Sequence, residues 1–343
     1  MTDFSTHRLL SLSLTAACLG AAPEVRSQSA TPSAPISPVT LVNQFEATGG
    51  KFEGYRRSGA KGICATGEFV GTDAARALST ALVFSGKPVP VSARFSIGGG
   101  NPQAPDNAKS QRNMALVFDL PNGEQWIQGN INAPVFGASS PQQLLDLLVS
   151  RQADPATKAA DPAKIKAFND ANPEVLLQGR HFASQPVPAS FASVNYWGVH
   201  AYGFVNASGS KQFGKWIYEP VDGLAGLTDD EAKSRGPTFL FADLRERAKA
   251  GKVAFSLNLE LAEPGDKLDS ATVPLPAGRK KVTLGLLKIT SVSEDSGGAC
   301  LTTNYNPMVM PKGIEPSADP MLAARAAPYV VSRGRRVIEG AKQ

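Results

Sequence analysis

Short apolar stretches separated by glycine- and proline-bearing turns recur through the middle of this chain, and they leave it few folds to choose from. Residues 81–84, 91–97, 114–118, 199–205, 212–218 and 253–261 either alternate apolar with polar side chains or run apolar over strand lengths. Several such strands spaced by turns point to a barrel. Helical patterns interrupt the series. Residues 140–150 open on a serine in cap position and carry apolar side chains at helical spacing, and 162–169 read as a second helix. Thr228 with Glu231 three positions later is a capping box that starts a third helix, and residues 239–250 form a fourth. The class is therefore α+β, a β-barrel with inserted and appended helices.

At 343 residues, 42% hydrophobic and 19% charged, the chain can bury a large core, in one big domain or two smaller ones. The net charge of +5 does not make a nucleic-acid binder of it, because the basic residues are dispersed rather than gathered on one segment. The N-terminus has the layout of an export signal. A short apolar run at 9–22 follows a weakly basic start and precedes small residues, so residues 1–30 are read as signal and leader and 31–40 as a flexible Ser/Pro-rich segment before a domain at 41–343. The run is too short for a transmembrane span, so no stable membrane insertion is expected. Export would make the protein periplasmic or secreted. Cys18 only loosely fits a lipid-anchoring site, since the leucine wanted three residues before it is missing. Cys64 and Cys300 remain beyond the leader, either as a disulfide or as two buried thiols, and no Cys/His spacing suggests zinc.

The C-terminal tail places Tyr329 among Arg325, Arg333, Arg335 and Arg336 in a largely apolar run that is helix-compatible except at Pro328. A phenol is a poor metal ligand at neutral pH, but a guanidinium one helical turn away favours the phenolate, and Arg325 stands at that spacing. A tyrosinate can ligate haem iron, and arginines on neighbouring turns can pair with carboxylates through forked hydrogen bonds. Taken alone, the segment is equally an amphipathic helix with a solvated basic face.

Its context carries further. The block Asn304-Tyr-Asn-Pro307-Met-Val-Met-Pro311-Lys-Gly313-Ile-Glu-Pro316-Ser leads into Arg325-x-x-x-Tyr329. Upstream stand Arg56-Arg-Ser-Gly59-Ala-Lys61-Gly62, then Val91-Ser-Ala-Arg94-Phe-Ser96, Gln111-Arg112-Asn-Met-Ala-Leu-Val-Phe118 and Trp197-Gly-Val-His200-Ala-Tyr-Gly-Phe-Val-Asn206. In this order and spacing the blocks resemble the catalase superfamily over roughly residues 40–336, and the length resembles its smaller catalase-related haem peroxidases. The resemblance implies a catalase-like antiparallel β-barrel with inserted and C-terminal helices. It also implies haem b held through Tyr329 as the axial iron ligand, with Arg325 beside the phenol and Arg56, Arg94, Arg333 and Arg336 toward the propionates. The implied activity is haem-dependent reduction of hydrogen peroxide or organic peroxides by a small organic electron donor.

One departure bears on that activity. Where the resembling proteins carry the distal histidine of Arg-x-x-His-Ala-Lys-Gly, this chain has Gly59, which moves no proton. Asn132, two residues before Pro134, falls at the distal asparagine position and is the tentative catalytic residue, with an ordinary turn asparagine as the alternative. Leu144 stands where relatives often place a phenylalanine over the haem. His200 reads as a satisfied core histidine and His181 as a surface one. Three functions remain open: a peroxidase impaired at Gly59, a non-catalytic haem carrier or sensor, and a haem-free barrel binding another small ligand.

Overall fold

Alternation in the sequence becomes an inside and an outside once the strands pair. In the computed structural model the residues described are 1–2, 36–294, 300 and 302–340, and Ile36–Gln343 form a compact unit. The apolar run at 9–22 and Cys18 lie outside the described residues. Twelve strands are described: β1 (Gly62–Gly71), β2 (Val89–Ile97), β3 (Arg112–Asp119), β4 (Gln125–Ile131), β5 (Val187–Pro188), β6 (Tyr196–Trp197), β7 (Tyr202–Val205), β8 (Lys211–Pro220), β9 (Gly226–Leu227), β10 (Ala254–Leu261), β11 (Lys281–Glu294) and β12 (Ile314–Pro316). The helices are α1 (Pro38–Gly49), α2 (Asp73–Leu78), α3 (Pro141–Ser150), α4 (Pro162–Ala171), α5 (Leu176–Ser184), α6 (Asp229–Ser234), α7 (Phe239–Lys249), α8 (Pro320–Ala324) and α9 (Ala326–Gly340).

Eight strands close an antiparallel barrel in the order β1-β2-β3-β4-β6-β8-β10-β11, with β11 returning to β1 and β10 pairing β8. β7 and β12 extend the sheet beside β8. Large aromatic side chains fill the interior: Trp126 and Trp216 meet edge to face at 5.3 Å, and Phe69, Phe118 and Phe255 are fully buried. Such rings bury much apolar area each, so the barrel is a packed core and not a channel.

The expected helices form with the expected caps. The Ser140 hydroxyl accepts the Gln143 N–H at 3.2 Å, and Thr228 with Glu231 makes the capping box of α6. Two expectations change. Residues 81–84 are not a strand, because Leu82–Phe84 turn as a 3-10 helix that buries Val83 and Phe84. A run of four apolar residues does not carry a period long enough to separate the two. Helix α1 also starts at Pro38, inside the stretch expected to be flexible, with the proline at the position where its missing N–H costs nothing. Pro328 lies within the helical tail and shifts the break upstream. It has no N–H to give the Ala324 carbonyl, and the helix is interrupted at Arg325, between α8 and α9.

Candidate functional site

Register decides which side chains share the outer face of the barrel. Ser96 on β2 pairs with Asn113 on β3, which pairs with Ile131 on β4; the next row on that face is Arg94, Ala115 and Gly129. Against these rows pack α1, α3 and the α8–α9 tail, enclosing a cavity of about 240 Å³. Its walls include Phe45, Phe136, Leu144 and Met321 on the apolar side and the phenol of Tyr329 on the other. Ala115 and Gly129, adjacent in register, supply a flat patch with little side-chain bulk. Gly129 has to be small, because a Cβ there would lie 2.7 Å from Nη2 of Arg325.

Four side chains form a single hydrogen-bonded chain leading to Tyr329. Arg325 Nη2 donates to the Tyr329 hydroxyl oxygen at 2.7 Å, and Arg325 Nη1 lies 3.1 Å from His200 Nε2. His200 Nδ1 lies 2.7 Å from Asp319 Oδ2, whose other oxygen accepts the Met321 N–H at the start of α8. Arginine only donates, so Nε2 must accept, and the imidazole is the neutral tautomer with its proton on Nδ1, donated to Asp319. Burial drives the same result, pushing His200 down to about 4, with Arg325 adding to the depression and the Asp319 bond opposing it. Asp319 is held below the usual carboxylate range: burial pulls it upward, and the interaction with His200 together with the Met321 and Leu322 N–H groups outweighs that. His200 was read from sequence as a core histidine; it is buried, and it also joins Asp319 to Arg325. Asp319 was missed, although its place as the residue before Pro320 at a helix start marks it as a cap.

The expected arginines do not all arrive at the cavity. Arg56, Arg94 and Arg336 line it, while Arg333 is exposed and its Nε donates to the Thr302 carbonyl at 2.7 Å. Helix geometry explains the split, since seven residues return to within about 20° of Tyr329 and four overshoot it by about 40°. Arg56 Nη2 donates to the Cys300 and Thr303 carbonyls at 2.7 and 3.1 Å. Those carbonyls are fixed in turn by a disulfide between Cys64 and Cys300, whose Cα atoms are 5.6 Å apart. Both cysteines are buried beside Tyr305, in a cluster onto which Tyr329 packs.

On the opposite wall, Gly59 adopts φ +66°, and a Cβ built there would lie 2.9 Å from Ser96 Oγ and 3.5 Å from Asn113 Nδ2. Its carbonyl accepts Arg94 Nη1 at 2.7 Å. Asn132 is not on the cavity wall. It follows the last residue of β4, and its Oδ1 accepts the Arg112 N–H at 2.7 Å, extending the β3–β4 ladder by a side chain. Asn113 and Asn130 line the cavity in its place. The spacing to Pro134 gives Asn132 its turn position but not the direction of its side chain.

The donor set suits a planar group bearing carboxylates. One phenol with a guanidinium on its oxygen faces the cavity, four further arginines line it, and two small residues leave room against the sheet. Comparison with known proteins gives the family. Residues 54–342 match the Catalase family model. The chain is 38% identical over 301 residues to a catalase-related peroxidase of Synechococcus elongatus, covering 88% of this chain and 89% of that one. It is 32% identical over 303 residues to a catalase-related peroxidase of Mycolicibacterium paratuberculosis, covering 87% and 94%. Among solved structures, catalase A from Saccharomyces cerevisiae superposes with a TM-score of 0.74 at 22% identity, over 82% of this chain and 61% of that longer one. The chain belongs to the catalase family.

Proposed function

We propose that this protein is a haem-dependent peroxidase that reduces hydrogen peroxide or organic peroxides at the expense of a small organic donor. The observation that carries the reading is the 2.7 Å bond from Arg325 to the Tyr329 oxygen, at the end of the chain running from Asp319 through His200. Haem b, held by Tyr329 on the iron and by Arg56, Arg94 and Arg336 near its carboxylates, would supply the electron-transfer chemistry. The protein's part is to fix charge. Asp319 orients His200, His200 leaves Arg325 one direction to lie in, and Arg325 presents a permanent cation to the phenol oxygen. Phe136, Leu144 and Phe45 keep that side of the cavity apolar.

Tyr329→Phe tests this directly. Reconstituted haem occupancy and the Soret band should both fall sharply relative to the parent, and an unchanged spectrum would remove Tyr329 as ligand. Gly59 favours a second reading, a haem carrier or sensor without turnover, because no side chain at that position can shuttle a proton. Peroxide-dependent oxidation of a phenolic dye by the loaded parent separates the two. The same proposal places the protein outside the cytoplasm, supported by the Cys64–Cys300 bond, which persists in oxidising compartments. Intact mass from the native host, lacking the leader, is the expected result.

A further inference from the structure

The space beside Gly59 is filled from the barrel side. Gln111 Nε2 donates to Asn113 Oδ1 at 2.6 Å, which turns the Asn113 amide nitrogen toward Ser96, and Asn113 Nδ2 donates to Ser96 Oγ at 3.0 Å. Ser96 and Asn113 are direct partners in the β2–β3 register, so the two side chains stand together on one face, and all three residues line the cavity. Among the described residues, neither the Ser96 hydroxyl proton nor the second Asn113 amide proton has a protein acceptor. A ligand in the cavity therefore meets neutral donors there. The charged groups facing the cavity are arginines: Arg56, Arg57, Arg94, Arg325 and Arg336. The remaining titratable groups are the phenols of Tyr305 and Tyr329, and His200, whose Nε2 is taken by Arg325. Among the described residues no carboxylate lines the cavity, and none of the Gln111, Asn113 and Ser96 side chains can take a proton near neutrality.

We infer that Gln111, Asn113 and Ser96 form a proton-inert, neutral binding wall that selects peroxycarboxylic acids over hydrogen peroxide as the oxidant. The inference rests on the haem peroxidase reading and narrows its substrate. Hydrogen peroxide must lose a proton to bind as an anion, and its leaving oxygen must gain one, so an enzyme group has to carry it. A peroxycarboxylic acid is more acidic, and its leaving group is a carboxylate that departs without a proton. In the net reaction the O–O bond breaks and one peroxycarboxylic acid with two phenols gives one carboxylic acid, one water and two phenoxyl radicals. The two electrons and two protons both come from the phenols. Asn113 and Ser96 would donate to the departing carboxylate, or to the anionic oxygen as it binds.

Two measurements on the haem-loaded parent test this, and one does not depend on turnover. Hydrogen cyanide binds ferric iron as its anion, so without a base in the cavity the cyanide on-rate should climb about tenfold per pH unit between pH 5 and 8, following the free anion. Peroxyacetic acid should react about 10²–10⁴ times faster than hydrogen peroxide, the worth of one positioned acid–base group. Asn113→His, which brings an imidazole in from the sheet side, should flatten the cyanide profile and narrow that ratio. A flat cyanide profile in the parent, or equal rates for the two oxidants, overturns the inference while leaving the peroxidase reading standing. A protein that takes up no haem defeats both.

Discussion

Acidifying the cofactor-free protein isolates the electrostatics of the Asp319–His200–Arg325 chain. Burial holds His200 down to about 4 from an ordinary value of 6.5, so between those values the unfolded chain binds a proton that the folded one refuses. The stability this contributes is present above pH 6.5 and is lost as pH falls toward 4. A difference of about 2.5 units is worth ~3 kcal/mol, or ~5 °C in Tm for a folded unit of roughly 300 residues. The groups facing His200 do not mask the effect: Asp319 is held low and stays ionised, Arg325 stays charged, and Lys215, which burial brings down to about 8, titrates above this window. His200→Gln is the control, because its carboxamide can donate to Asp319 and accept from Arg325 without ever protonating. Thermal or urea unfolding of the two proteins at half-unit steps from pH 7 to 4 should show the parent losing ~3 kcal/mol relative to the variant. A difference that does not change with pH would mean that His200 is not a buried neutral imidazole, and the chain as described would be wrong.

Two further outcomes follow from the same geometry. Gly59→Ala should lower stability by about 1–2 kcal/mol, because a side chain at φ +66° is strained and its Cβ crowds Ser96; an unchanged melting point would show that the turn relaxes freely. Gly59→His should carry at least that cost and, once loaded with haem, raise peroxide-dependent dye oxidation by about 10²–10⁴. Reducing the Cys64–Cys300 bond, or replacing both cysteines by serine, should destabilise by up to about 5 kcal/mol, the upper end expected for a link across 236 residues, and should loosen Arg56. Equal denaturation midpoints with and without reductant would contradict it.

Much of the fold was legible because it rests on local periodicity. The stretches at 91–97, 114–118 and 212–218 fall within strands, 253–261 does so from Ala254 on, and the caps at Ser140 and Thr228 start helices where expected. Strand β11 escaped notice, since Lys281–Glu294 mixes polar and apolar residues across a bulged register opposite β1. In the site, Arg325 and Tyr329 were readable from a spacing of one helical turn. Asn113 was not, because its role comes from pairing with Ser96 on another strand, and no separation along the chain reveals which face a paired side chain takes. The same holds for Asp319 and His200, brought to 2.7 Å from 119 positions apart. Asn132 and Arg333 lie off the cavity for a related reason: proximity in sequence to a meaningful residue fixes the backbone, while the side-chain direction is set by the ladder in one case and by the helical angle in the other.

Closing the ring of eight strands has a consequence for how this protein behaves in a crowd. Open sheets present unpaired N–H and C=O groups that recruit other chains, whereas every strand in a closed ring has a neighbour on both sides. The outer side of β12 is one margin this sheet leaves among the described residues, and it is poorly suited to templating. It is three residues long, Pro316 brings no N–H to it, and Glu315 is engaged by Lys211 from across the sheet. Edge-to-edge association is thus discouraged at that margin.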